Sequence, residues 1–569
     1  MAYVLSAQTE RQMAAIAFLC GAEGAESLGE EEIEKYSALL SRPLEINMAG
    51  HSRLSASGIL TPYQVASLED YIKNHGAVMS YTELSMLDGF GEAFVTALAP
   101  FISLRSAPGT IAGMPNGPSG LRQDIVTRVS WKDGAYAYGA KYKIALGESV
   151  EASATWRETY SGKWPEYSFN VVYYGKKRPF KVMAGDFAGR FGQGLAMWTG
   201  FSLGGFSSSA SFIRKGTGLA PSWSYSGDAS HRGVSADCSF GRVTVSAMVT
   251  FPGLRKKWES GKATDVTSLP ALNASWFGKN GQAGVTLAGN GKASADFRWT
   301  AKGADLFGEA AYDFPGRAAA VVTGAIIPLR EEWKISAAAR CYQAGFNPDN
   351  TGAIRSWSKV SDELALSSGL EWKASVFTVD VARKLSEDKA QLKLFLKVPL
   401  RLSDCLTLEV RGNERLRPCD EFRHRTGMRC EANFSSSGLS VIYGPSDGPS
   451  WMCRARVEGV LCESYGLLAY LEGGRKTERF SAYLRGTYFD AERWNDRVYS
   501  YERDAPGNFS VPAYYGKGFS VVFTAGSKFS FRFGRRYGSL RLYAKMALVE
   551  YFKDKPDKVE FKLQAAFGV

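Results

Sequence analysis

The sequence predicts a mainly β fold: a large antiparallel transmembrane β-barrel of roughly 20–26 strands, preceded by a small all-α domain. Three observations predict it. Residues 391–402 alternate strictly, with Leu392, Leu394, Leu396, Val398, Leu400 and Leu402 interleaved with Gln391, Lys393, Lys397 and Arg401. That is a strand with one oily and one wet face, long enough to cross a bilayer at a tilt. The same pattern recurs around Tyr136–Leu146, Val150–Trp156, Leu540–Leu548 and Val559–Val569. No run approaches 18 apolar residues, which argues against helical spans, whereas a barrel spreads its apolar residues over alternate positions. Sixty glycines, 13 Trp, 27 Tyr and 33 Phe fit a barrel with interfacial aromatic belts. A large soluble β-sandwich or solenoid is the competing class, opposed by the strand lengths and the lack of a tandem repeat.

Charge divides the chain. The formal net charge is +12, yet residues 1–106 hold six Lys/Arg against thirteen Asp/Glu. An acidic head is joined to a basic body. Residues 1–8 resemble the tail of a signal peptide, with Tyr3-Val4-Leu5-Ser6-Ala7-Gln8 placing small residues before a Gln. On that reading the true start lies upstream. Residues 9–106 form the helical domain, residues 107–121 a Gly/Pro/Ser linker, and residues 122–569 the barrel.

Within the head, Ser27 is read as the cap of a helix through Ile33, Tyr36, Leu39 and Leu40. Glu30, Glu31 and Glu32 fall in its first turn, where the helix dipole favours them, and Pro43 marks its end. A second helix runs from Pro62 to Asn74 and stops at Gly76. A third covers Tyr81–Leu87 and a fourth Glu92–Phe101. From residue 122 strands alternate with turns such as Asp133-Gly134 and Gly289-Asn290-Gly291. Residues 189–232 interrupt the pattern and are read either as an inward plug or as an outward loop.

Between the third and fourth helices, Leu87-Asp88-Gly89-Phe90-Gly91 sets two glycines around an apolar residue. This resembles the helix-hairpin-helix motif of ComEA-type competence proteins. Ser57-Gly58-Ile59-Leu60-Thr61-Pro62 is a weaker copy, and Pro43-Leu44-Glu45-Ile46-Asn47 resembles the "PLNIN" entry of tandem copies. Head and barrel together resemble a group of Bacteroidetes outer-membrane proteins that join such a head to a barrel. The resemblance implies location and fold, and no established activity.

Signals of catalysis are weak. The four histidines, His51, His75, His231 and His424, make no pair at metal-ligand spacing. Gly444-Pro445-Ser446-Asp447-Gly448 matches GxSxG, but a nucleophile elbow needs a strand-turn-helix, and Pro449-Ser450-Trp451 follows. Catalytic residues, metal and cofactor are all read as none. Eight cysteines include no CxxC pair. A Cys419–Cys430 bridge in an oxidising compartment and unpaired structural cysteines are both open readings.

Two candidate sites remain. At Gly89, Phe90 and Gly91 the hairpin's backbone N–H groups offer an anion or partner contact. Asp88, Glu92 and the acidic head oppose phosphate there. Arg411, Arg415, Arg417, Arg423, Arg425 and Arg429 form a basic cluster, with Arg532, Arg535, Arg536 and Arg541 a second and Lys176, Lys177 and Arg178 a third. These read as a positive lumen or loop surface, as contacts to lipopolysaccharide phosphates, or as lumenal salt bridges. A further reading docks the acidic head against the basic lumen or periplasmic rim. The expected function is a non-enzymatic outer-membrane conduit or scaffold whose periplasmic head docks or gates. The expected partners are outer-membrane lipid and a periplasmic protein. DNA binding or uptake, with nucleic acid as partner, is the alternative.

Overall fold

The alternation puts the oily face outside. On Ala390–Arg401, Leu396 and Leu400 are exposed while Gln391 and Phe395 are buried. On Ala135–Leu146, Tyr136, Tyr138 and Tyr142 are exposed while Lys141 is buried. In the computed structural model, 24 such strands pair antiparallel with their chain neighbours and close into one barrel. The structure describes residues 10–105, 120–160, 165–175, 179–200, 205–225, 230–252, 268–330, 332–417, 424–436, 450–533, 536–552 and 555–569. The proposed leader remnant and most of the linker lie outside them.

Closure is made by the first and last barrel strands. Leu121–Lys132 pairs with Lys558–Gly568, Arg128 opposite Gln564 and Trp131 opposite Phe561. Among the described strands no wall edge is then left open to another chain. An even strand number returns both chain ends to the same rim, here called proximal. Its described turns are short, as at Gly241-Arg242 and Lys302-Gly303. The long connections, residues 191–230, 343–362 and 492–515, lie at the opposite, distal rim. The segment read as plug or loop turns inward: Phe206, Phe212 and Ile213 pack on Phe307, Ala338 and Ile354. The Glu309 carboxylate, on the wall, accepts from the N–H groups of Gln193 (2.7 Å) and Leu195 (3.1 Å).

The helices are α1 (Glu10–Cys20), α2 (Glu30–Ser41), α3 (His51–Ala56), α4 (Pro62–His75), α5 (Tyr81–Ser85) and α6 (Glu92–Leu98). Gly29, not Ser27, caps α2; Ser27 ends a short 3-10 turn, Ala25–Ser27, that precedes it. α4 begins with a capping box: Thr61 Oγ1 accepts from Gln64 N (3.2 Å) and Gln64 Oε1 from Thr61 N (2.9 Å). Gly76 ends it at φ +90°. α5 stops two residues short of Leu87. α6 gives way to the 3-10 turn Ala99–Phe101, where Pro100 has no N–H to extend the α-helical ladder.

α3 with α4 and α5 with α6 make two helical hairpins. Leu44–Glu45 pairs in parallel with Ile102–Ser103. Asn47 bonds Val78 N (2.9 Å), Val78 O (3.0 Å) and Leu104 O (2.8 Å), knitting the hairpins together. Their shared core includes Ile33, Leu54, Leu60, Leu68, Leu84, Val95 and Phe101. Tyr501, from the 492–515 connection, belongs to the same core at 3% exposure. The head therefore enters the barrel, met there by a loop from the far rim.

Gly89 adopts φ +84°, and a Cβ there would meet the Tyr63 ring at 2.9 Å. Gly89→Val should destabilise the head by about 1–3 kcal/mol. Limited proteolysis should show the helices cut faster while the barrel keeps its heat-modifiable migration. Loss of the assembled barrel would contradict this.

Candidate functional site

α2 carries its carboxylates into a ring of wall cations. Glu30 pairs with Arg157 (2.9 Å), Glu32 with Arg190 (2.7 Å) and Glu34 with Lys141 (2.6 Å). Glu31 shares Arg190 at 3.3 Å. Just before α2, Glu26 meets Arg456 (2.5 Å) and Arg429 (3.5 Å), and both arginines also bond Glu458. Arg456 and Lys141 lie near the middle of their strands, Ser450–Leu461 and Ala135–Leu146. The contact is therefore in the lumen and not only at its mouth. Toward the proximal rim, Arg541 donates to Ser41 Oγ (2.7 Å) and Arg42 pairs with Asp124 (3.3 Å).

α3 and α4 seat the head on that rim. Ser52 Oγ donates to Phe180 O (2.9 Å), and Arg53 pairs with Glu148 (3.0 Å). Tyr63 Oη donates to Lys279 O (2.8 Å). From the distal side, Lys215 Nζ donates to Leu19 O (3.0 Å) at the end of α1, and Gly507 N to Ser37 Oγ (3.1 Å). Two cavities at the junction, about 50 and 60 Å³, are lined partly by Glu26, Arg411 and Arg429 and by Glu32, Arg190 and Lys215. Each has room for a water or two.

Burial and pairing pull the head's carboxyls in opposite directions. Burial raises Glu26, but Arg429, Arg456 and Arg411 outweigh it and hold the group well below the usual range. Burial likewise opposes ionisation of Glu32, yet Arg190 and Lys35 keep it below. Glu31 is pushed up to about 7 by burial, which Arg190 relieves only in part, and Glu32 adds a smaller repulsion. Burial also raises Glu34, only partly offset by Lys141.

The predicted basic cluster is divided by height. Arg411 donates to Glu23 O (2.9 Å) and, with Arg429, grips the head. Arg417 and Arg425 serve the distal loops: Arg417 bonds Gln391 (2.9 Å) and lies 5.3 Å from the Trp357 ring, and Arg425 bonds Arg497 O (2.9 Å). Arg415 stands opposite Lys393 and Arg425 on the wall. Arg423 lies outside the described residues, as do Lys176, Lys177, Arg178, Arg535, Cys419 and Ser446. Arg456, Arg190, Arg157 and Lys141 went unnamed in the sequence reading. They occupy the wet face of their strands, and alternation was the available signal.

The predicted hairpin contact is engaged within the chain. Phe90 N donates to Leu87 O (3.1 Å), Gly91 N to Ser85 O (3.1 Å), and Gly89 O accepts from Gln64 Nε2 (2.7 Å). Phe90 is buried against Phe94. Two of the three backbone donors offered to a phosphate thus already have acceptors. Among the described residues no His/Cys/Asp/Glu group is placed to hold a metal, and Cys430 is among seven unpaired cysteines.

No family model matches the chain, and no curated protein matches it. Solved structures do. The P pilus usher (PapC) translocation pore is 10% identical at a TM-score of 0.35, over 79% of this chain and 99% of that one. Pseudomonas aeruginosa OccK3 (OpdO) is 8% identical at 0.26, and Pseudomonas aeruginosa OprD 11% at 0.23; each match covers 79% of this chain and 95% of the other. Likeness at this level leaves the function to be read from this chain's own geometry.

Arg456→Ala leaves Arg429 alone to serve both Glu26 and Glu458, and should weaken head docking by up to about 3–5 kcal/mol. Trypsin digestion of the assembled protein should then release head peptides that the parent protects. Docking should also respond to pH. A docked head keeps a proton on Glu31 that a free head gives up above the ordinary carboxylate value. Docking therefore strengthens as pH falls from about 8 to about 5, and Glu31→Gln reduces that trend, Glu34 carrying what remains. At lower pH, protonation of Glu26 and Glu32 weakens it again. Protease protection across pH checks both limbs.

Proposed function

We propose that this chain is a non-enzymatic outer-membrane conduit held closed by its own amino-terminal helical domain. The observation that carries the reading is α2 lodged in the lumen, its carboxylates paired with Lys141, Arg157 and Arg190 on one arc of the wall, while Glu26 in the turn before it meets Arg429 and Arg456 on another. A 24-strand wall is too wide to be filled by its own side chains, so what occupies the lumen determines whether it conducts.

Outer-membrane location is supported by the exterior. Outward Trp276, Trp299, Trp333, Trp372 and Trp451 lie near the proximal rim. Tyr136, Tyr138, Tyr312 and Tyr465 lie near the distal one. Between them the wall is oily, and strands of this length at the usual tilt give a band of about 25 Å. Short turns mark the periplasmic side of such barrels, which orients the chain ends and the mouth of the head toward the periplasm and the long loops toward lipopolysaccharide. α4 lies at the proximal mouth, where Tyr63 reaches Lys279 O and a periplasmic protein that draws the head outward would meet it.

The test is conductance in planar bilayers. The parent should rest mostly closed. Glu26→Lys combined with Glu32→Lys sets like charges against Arg456 and Arg190, and should raise open probability at least about tenfold. Equal silence in parent and variant would favour a scaffold.

A further inference from the structure

We propose that the proximal rim is a docking surface for anionic phospholipid headgroups. The inference rests on the membrane reading above and adds the kind of lipid the rim selects.

The proximal aromatic belt is tryptophan, with rings turned outward, and Trp333 stacks on Trp372 at 5.7 Å. Trp rings settle at the level of the headgroups. Exposed cations lie in the turns just beyond it, Lys302, Lys373 and Arg479, and at a strand end beside it, Arg475. Two of them lie against the belt itself, Lys373 Nζ 5.4 Å from the Trp372 ring and Arg475 5.1 Å from the Trp451 ring. Those cations are at headgroup depth, where a lipid phosphate lies, and not out in the aqueous phase. The nearby acids are fewer. Lys373 pairs with the exposed Glu332 at 3.3 Å. A pair this exposed contributes little, so a phosphate can displace it. Each cation near an anionic surface adds a modest attraction, and several around one rim act together. A zwitterionic headgroup brings its own ammonium to the same place and gains less.

The full chain is assembled in phosphatidylcholine nanodiscs, then in nanodiscs with one part in four phosphatidylglycerol. Heat-modifiable migration in the neutral discs is scored first, and failure there would count against the membrane reading itself. Lipids retained on the protein released from mixed discs are then identified by native mass spectrometry. The parent should prefer phosphatidylglycerol over its share at least about tenfold, and the preference should fall with salt. A variant with Lys302→Gln, Lys373→Gln, Arg475→Gln and Arg479→Gln should assemble equally well and lose it. No preference in the parent, or an unchanged preference in the variant, would overturn the proposal and leave the rim's charge to a soluble acidic partner.

Discussion

Charge buried in the lumen has to be answered by charge. Because the outer face of each strand must be oily, the polar residues of the alternating pattern are turned inward, and among them are Lys141, Arg157, Arg190, Arg429 and Arg456. Removing an ion from water costs several kcal/mol unless a partner and further hydrogen bonds replace the solvent. α2 and the turn before it supply that partner, with Glu26, Glu30, Glu31, Glu32 and Glu34 distributed over more than one side of the helix. The acidic head and the basic wall are halves of one arrangement. Either half alone would need water in the lumen to solvate it.

That arrangement also explains why the head and barrel cannot be treated as two independent bodies. The head has its own apolar core, yet Tyr501 of a distal connection completes it, and Lys215 binds the end of α1 from the same side. The lumen is closed from both directions: helices enter at the proximal mouth, and loops fold down to meet them. Such a closure is held by a limited set of polar contacts around a small core, and a modest change in charge or pH shifts its balance without touching the wall.

Much of this was legible in the sequence. The strict alternation in residues 391–402 set strand type, length and two-faced character, because a period of two admits one solution. Glu30–Glu32 marked the start of α2, and the glycines at 76, 89 and 91 marked where chains turn. The contrast between acidic head and basic body suggested their docking. What was not legible was which cations meet which carboxylates. Arg456 and Glu26 are far apart in sequence, and their meeting depends on strand register and on how deeply the head sits. Ser27 failed as a cap because a 3-10 turn intervenes before Gly29, a local choice that composition does not encode. The six-arginine cluster looked like one patch in sequence, but a strand carries its residues from rim to rim, so neighbours in the chain serve different levels of the lumen.

The most direct test of the account is a disulfide between the first helical hairpin and the loop that folds in from the far rim. A Cβ on Gly58 would lie 3.3 Å from the Ala220 Cβ, close to the spacing a disulfide requires. Gly58→Cys and Ala220→Cys, placed together in the full chain with its native cysteines replaced by serine, should cross-link on mild oxidation of the assembled protein, and the cross-link should silence conductance. Absence of the cross-link in a correctly assembled barrel would mean the head does not reach the loops inside the lumen, and the closed-conduit account would fail with it.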